Sequence, residues 1–429
     1  MRVRACVRSI AAGVAVALGA VGATLPAHAA EGTADGQWWY ELYDVPAAHA
    51  EGWTGDGVHI AVIDAQINPD LPVFADADLT VADGALCIDR GAPTSETFTT
   101  DASHGSTTTA MLVGNGQGAG AVLGVAPEAS VTFYGWGGDA FADENAACRT
   151  DPEAEARGLT PGGWGVARAL ADGADIITTS VVSGSYSVAD EEVIAEAIAR
   201  GVVVVASTAN SSGVTMDDFP RKFNGVVSVN AMDRDNAIQL DSDTGEPAVE
   251  DEVTVVAAGV DLSVIGTSRG GWDDTALSTG ASFAAPIVAG MLALTSQKYP
   301  EAGGNQLIQS LIHNTWADDH PLERDGVYGY GAASLGHLLR VDPGEYLDVN
   351  PLMDKRSGGP TEAQVADLAA KPLPTATPAP AADESDGDGD PSGMPGLLVL
   401  VLSLVGVGVL LLIGGVILTV VLVRRSRSS

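Results

Sequence analysis

The chain predicts an α/β fold with a mostly parallel central sheet, plus one C-terminal transmembrane helix. Three observations carry this expectation. Short β-branched runs alternate with segments of helical period across residues 30–350, the pattern of strands that need crossover helices. Segments rich in polar and small residues directly follow or border several of those runs, and in open parallel sheets chemistry gathers beyond the carboxyl ends of the strands. Finally, residues 397–423 form an uncharged run of Leu, Val, Ile and Gly, long enough to span a bilayer as a helix.

The elements follow in order. Residues 58–63 form a β-branched run, as expected of a strand buried on both faces. Residues 131–134 offer a second strand, and residues 165–173 read as a helix with Trp164, Ala167 and Leu170 on one side. Strands are expected at 175–182, 201–206, 226–230 and 253–257, with an amphipathic helix over 190–200 and another over 282–299. Residues 139–163 read as a long surface loop, and Gln37-Trp38-Trp39-Tyr40 as an aromatic clasp over the domain.

The ends read as addresses. Residues 1–29 begin with Arg2, Arg4 and Arg8, continue into an apolar run and close on Ala27-His28-Ala29, the plan of a cleaved signal peptide. The peptidase-sized domain is expected over 30–350, a Pro/Ala/Asp-rich linker over 351–394, the span over 395–423 and a cytoplasmic tail over 424–429. Arg424, Arg425 and Arg427 fix that tail on the cytoplasmic side, which leaves the bulk of a single-pass cell-membrane protein outside. The acidic run at residues 383–390 lacks the flanks and final Glu of a calcium loop and reads as solvated stalk.

The 56 acidic residues outweigh 21 basic ones, for a formal charge of -35. Such a surface repels phosphate backbones, which excludes nucleic acid as a partner. Cys6 leaves with the leader, so Cys87 and Cys148 remain as an even pair in an oxidising compartment. A disulfide between them is expected; two free buried thiols are the alternative. No ligand set has the spacing of a metal site, and no cofactor is expected.

Three segments place an acid, a base and a nucleophile. Asp64 follows the first apolar run, His104 stands in Ser103-His104-Gly105 before small residues, and Ser282 stands in Gly280-Ala281-Ser282-Phe283-Ala284-Ala285-Pro286. A serine hydroxyl needs a base to take its proton, and the base needs a partner to hold its tautomer. His104 is the base by exclusion. His28 leaves with the leader, His49 sits in a polar entry segment, His59 lies within a strand, and His313, His320 and His337 have no matching motif. Ser282 at a helix start would meet free backbone N–H groups. Asn210, after the strand at 201–206, can add a side-chain amide as a second oxyanion donor.

With those residues in the order Asp, His, Ser, the chain resembles the subtilisin-type serine proteases, and within them the mycosins, membrane-anchored proteases associated with type VII secretion. Gly55-Asp56-Gly57-Val58, Gly124-Val125-Ala126-Pro127-Glu128-Ala129 and Tyr328-Gly329-Tyr330-Gly331 add to the likeness. The resemblance implies a subtilisin-like three-layer fold and a serine endopeptidase acting on a protein or peptide substrate. It implies that Asp64 orients, His104 serves as general base and acid, Ser282 attacks and Asn210 binds the oxyanion. It also permits a scaffold role in a type VII secretion membrane complex. The chain departs from the usual pattern at Ala65 and Gln66 after the acid, Ala209 before the amide, Ala281 before the nucleophile, and Val181-Val182 after Ser180.

Overall fold

A computed structural model describes residues 34–138, 140, 148–181, 186–211 and 219–371. These belong to the first of the chain's two units, Met1–Pro372. The expected signal peptide, the acidic stalk and the expected span lie outside the described residues, among which no helix is long and apolar enough to cross a membrane.

Among the described residues, nine strands form in chain order: β1 (His59–Asp64), β2 (Leu79–Val81), β3 (Ser130–Gly135), β4 (Ile176–Thr179), β5 (Val203–Ser207), β6 (Val227–Met232), β7 (Val255–Ala258), β8 (Leu262–Thr267) and β9 (Gly271–Ser278). The helices are α1 (Trp38–Leu42), α2 (Val45–Ala50), α3 (Thr100–Val113), α4 (Pro152–Arg157), α5 (Pro161–Ala171), α6 (Val188–Ala199), α7 (Ala281–Lys298), α8 (Gly304–His313), α9 (Leu335–Leu338) and α10 (Glu362–Ala369). Seven strands make one sheet in the order β2-β3-β1-β4-β5-β6-β7. Every pairing in it is parallel, with Ile60 beside Val131 on one side and Ile176 on the other. β8 and β9 form a separate antiparallel hairpin.

The three layers follow from side-chain alternation. Ile60, Val62, Val203 and Val205 face a core shared with α3 and α7, whereas Ala61, Ile63, Val204 and Ala206 face a second core with α5 and α6. A strand that feeds two cores has no solvent face, so its sequence is an unbroken apolar run instead of an alternating one. β1 lies at the point where the strand order turns, between β3 and β4. The crevice beyond its carboxyl end is where such sheets place ligands.

Two expectations are corrected. Residues 148–163, expected as surface loop, hold α4 and the start of α5; Asp151 accepts from the Glu153 N–H at 2.8 Å and caps α4, while Gly158 ends it in a left-handed conformation. Apart from Ala140, the remainder of that insertion lies outside the described residues. The packed body also runs past residue 350. In the segment expected to begin a linker, Leu352 is fully buried, Lys355 is buried among backbone carbonyls, and α10 lies against α6. Its local composition is polar, but its long-range partners supply the burial. The aromatic clasp is as expected: Trp39 is fully buried and Trp38 Nε1 donates to the Val260 carbonyl at 3.2 Å.

Cys87 and Cys148 form a disulfide with a Cα–Cα distance of 5.1 Å. It ties the segment after β2 to the segment before α4.

Candidate active site

Asp64 is the last residue of β1 and is fully buried. Its Oδ1 accepts from His104 Nδ1 at 2.7 Å and from the Ala65 N–H at 2.6 Å, and its Oδ2 accepts from Thr108 Oγ1 at 2.8 Å. A buried carboxylate needs donors on both oxygens, and these three supply them. His104 lies one turn inside α3, which starts at Thr100 with the Thr99 hydroxyl capping the Ala102 N–H at 2.9 Å. The imidazole therefore sits on a rigid turn, with its side chain 16% exposed.

The small residues of α3 let it come close to the loop after β1. At Gly105, any Cβ would overlap the Gln66 carbonyl oxygen. Thr108 was not singled out in the sequence, where it is one of three consecutive threonines. It stands four residues after His104, so both share one helix face, and that spacing was the available signal.

Ser282 is the second residue of α7, after Gly280, and is 9% exposed. Its Oγ lies 3.4 Å from the Ser180 carbonyl oxygen. Its neighbour Phe283 places its ring centroid 5.9 Å from that of His104, and α3 packs along α7. Pro286 sits one helical turn beyond Ser282. It has no N–H, so the Ser282 carbonyl lacks its intrahelical donor; Ser180 Oγ donates to that carbonyl instead, at 2.7 Å.

Asn210 follows β5 and its side-chain oxygen accepts from the Ala281 N–H at 2.9 Å. Its Nδ2 would lie 3.2 Å from a Cβ at Gly280, so the glycine leaves room for the amide beside the start of α7. Asp64 and His104 are thus bonded directly. The Ser282 turn meets His104 through the Phe283 ring and the packing of α3 along α7, and meets Asn210 through Ala281.

Other histidines bond elsewhere. His59 bonds Thr132 Oγ1 at 2.8 Å, His49 bonds the Val125 carbonyl oxygen at 2.8 Å, and His320 bonds Thr315 Oγ1 at 2.7 Å. Among the described residues, no cluster of three or more His, Cys, Asp or Glu side chains could hold a metal ion. An acid holding an imidazole, with an alcohol and an amide at a helix start beside it, is equipped for acyl transfer.

Comparison with known proteins agrees with this chemistry. The profile of the subtilase family matches residues 55–331. Subtilisin BL of Lederbergia lenta is 31% identical over 303 residues, covering 71% of this chain and 98% of its own. Minor extracellular protease Epr of Bacillus subtilis is 28% identical over 295 residues, covering 69% of this chain. Subtilisin E of the same organism is 31% identical over 265 residues, or 59% of this chain. The matched stretch spans only 40% of Epr and 59% of subtilisin E. Among solved structures, fervidolysin from Fervidobacterium pennivorans aligns with a TM-score of 0.54 at 23% identity, over 71% of this chain and 45% of its own. MycP1 from the ESX-1 type VII secretion system aligns with a TM-score of 0.52 at 19% identity, over 73% of this chain and 88% of its own. At these identities the structural likeness is one of fold. The three-layer parallel sheet, the match over residues 55–331 and the order of acid, imidazole and alcohol converge on one statement: the chain belongs to the subtilase family.

Proposed function

We propose that the protein is a serine endopeptidase anchored in the cell membrane, with its peptidase domain outside the cytoplasm, working beside a type VII secretion complex. The observation that carries the chemistry is the 2.7 Å bond from His104 Nδ1 to the buried Asp64 carboxylate. That bond holds the imidazole in the tautomer whose Nε2 can accept a proton.

In this reading Ser282 Oγ attacks the scissile carbonyl while His104 takes its proton. The oxyanion that forms is met by Asn210 Nδ2 and by backbone N–H at the start of α7. His104 then delivers the proton to the leaving amine, and the peptide's acyl portion stays on Ser282 as an ester. Water, deprotonated by His104, attacks that ester and releases the second product. No cofactor enters the sequence of steps.

The anchor rests on the uncharged run at residues 397–423 with its trailing arginines. The secretion link rests on the sequence resemblance to mycosins and on the fold shared with MycP1. Fluorophosphonate labelling of the full-length chain tests the enzyme reading: labelling should occur in the native protein and vanish in Ser282→Ala. Equal labelling of both, or none of either while the fold is intact, overturns it. The second reading, a scaffold for the secretion complex, draws on the departures at Ala65, Gln66, Ala209 and Ala281. It would gain if folded protein stayed unlabelled.

A further inference from the structure

The amide of Asn210 is held from outside its own loop, by Ala281 and Gln239. It is held at the end of a buried chain of side-chain amides. Asn230, on β6 and 1% exposed, uses Oδ1 to accept the Ala231 N–H at 2.8 Å and donates from Nδ2 to the Ala248 carbonyl at 2.7 Å. Backbone groups therefore fix which end of Asn230 is oxygen. Gln239 lies on the hairpin that follows β6 and is 3% exposed. Its Nε2 donates to Asn230 Oδ1 at 2.9 Å and to Asn210 Oδ1 at 3.2 Å. Thr208, two residues before Asn210, donates to the same Asn230 oxygen at 3.0 Å. The hairpin also meets the Asn210 backbone, where the Ser242 N–H donates to its carbonyl at 2.9 Å.

The consequence is directional. Asn230 cannot turn over without setting its NH₂ against the Ala231 N–H. Gln239 must then present nitrogen to it, and the second hydrogen of that nitrogen demands an oxygen from Asn210. The Ala281 N–H makes the same demand from the other side. Only Nδ2 of Asn210 is left to serve as a donor.

We propose that Gln239 is a positioning residue for peptide hydrolysis, which holds the Asn210 amide with its NH₂ turned to the developing oxyanion. The inference rests on the serine-peptidase reading above and deepens it.

Gln239→Glu tests it without changing the shape of the side chain. At pH 8 the carboxylate sets an acceptor against Asn210 Oδ1, while Asn230 stays fixed by Ala231. Asn210 must turn or withdraw. Hydrolysis of p-nitrophenyl acetate by the full-length chain should show kcat falling about 100-fold, the scale of losing an oxyanion donor, with KM within about twofold. In an Asn210→Ala background the same substitution should cost less than about twofold, because the group it misorients is gone. Gln239→Met, which keeps the volume and removes the donor, should show the same background dependence with a smaller fall, and it carries the test where the Glu variant does not fold. Equal losses in both backgrounds, or an unchanged kcat in the single variants, overturn the proposal. An Asn210→Ala protein with full kcat would instead overturn the oxyanion role of Asn210 itself.

Discussion

Ser180 Oγ donates to the Ser282 carbonyl at 2.7 Å, in the place where Pro286 can offer no N–H. The first turn of α7 is therefore completed by a residue just beyond β4, and the turn carrying Ser282 is tied to the strand edge beside it. Ser180 is 6% exposed, so water cannot easily replace it.

Removing that hydroxyl should leave a buried carbonyl without its partner. Ser180→Ala is expected to cost about 1–3 kcal/mol of stability, read by urea or thermal unfolding. Pro286→Ala in the same chain restores the backbone N–H, so the cost of Ser180→Ala should shrink in that background. Additive losses would show that the proline and the serine are not coupled.

Thr108 tells a similar story at the acid. Thr108→Val keeps the shape and removes the donor to Asp64 Oδ2. Hydrogen bonds to charged groups contribute about 1.5–3 kcal/mol, so both unfolding stability and kcat should fall, whereas Thr108→Ser should retain most of each. Comparing the three proteins by thermal unfolding and ester hydrolysis checks this. A Val variant with native kcat would remove Thr108 from the orientation of the acid.

Lys355 gives the stability its pH dependence near neutrality. It is 4% exposed, and its Nζ donates to the Arg221 and Val226 carbonyls and to Ser228 Oγ, each at 2.7 Å. Burial brings its ammonium down to about 7, against the opposing pull of Glu252 and Glu250. In the unfolded chain the same group titrates near about 10.4. Between these values the unfolded state binds the extra proton, so stability rises with pH, by up to about 1.4 kcal/mol per unit. Burial holds the Tyr40, Tyr43 and Tyr134 hydroxyls above their ordinary value, so their opposite effect begins only above about pH 10. Unfolding free energies measured from pH 7 to about 9.5 should climb in the native protein and lose most of that climb in Lys355→Met. An unchanged slope would show that the ammonium is not the group responsible.

Much of the architecture was legible because its causes are local. The run at residues 201–206 reads as a strand covered on both faces; its residues from Val203 on open β5 (Val203–Ser207), where every residue is buried, while Gly201 and Val202 precede the strand and are half-buried. Asp64, His104, Ser282 and Asn210 stood out because each sits where a strand ends or a helix begins, among small or glycine neighbours. The residues that hold them carried no such mark. Gln239 is an ordinary glutamine in a polar hairpin, and its use appears only when β6 brings Asn230 beside it. Residues 351–371 look like the start of a stalk, and the Arg221, Val226 and Ser228 acceptors that pin Lys355 lie more than a hundred residues earlier.

The threonines of α3 show the division in three letters. The sequence by itself determined that Thr107, Thr108 and Thr109 would follow His104 in a run of small residues. Tertiary structure alone decided that Thr107 accepts the Ile265 N–H at 3.0 Å while Thr108 reaches Asp64. Each step along a helix turns the side chain by about 100°, so identical neighbours face different elements. What each one does depends on which distant strand or hairpin the fold has laid against it.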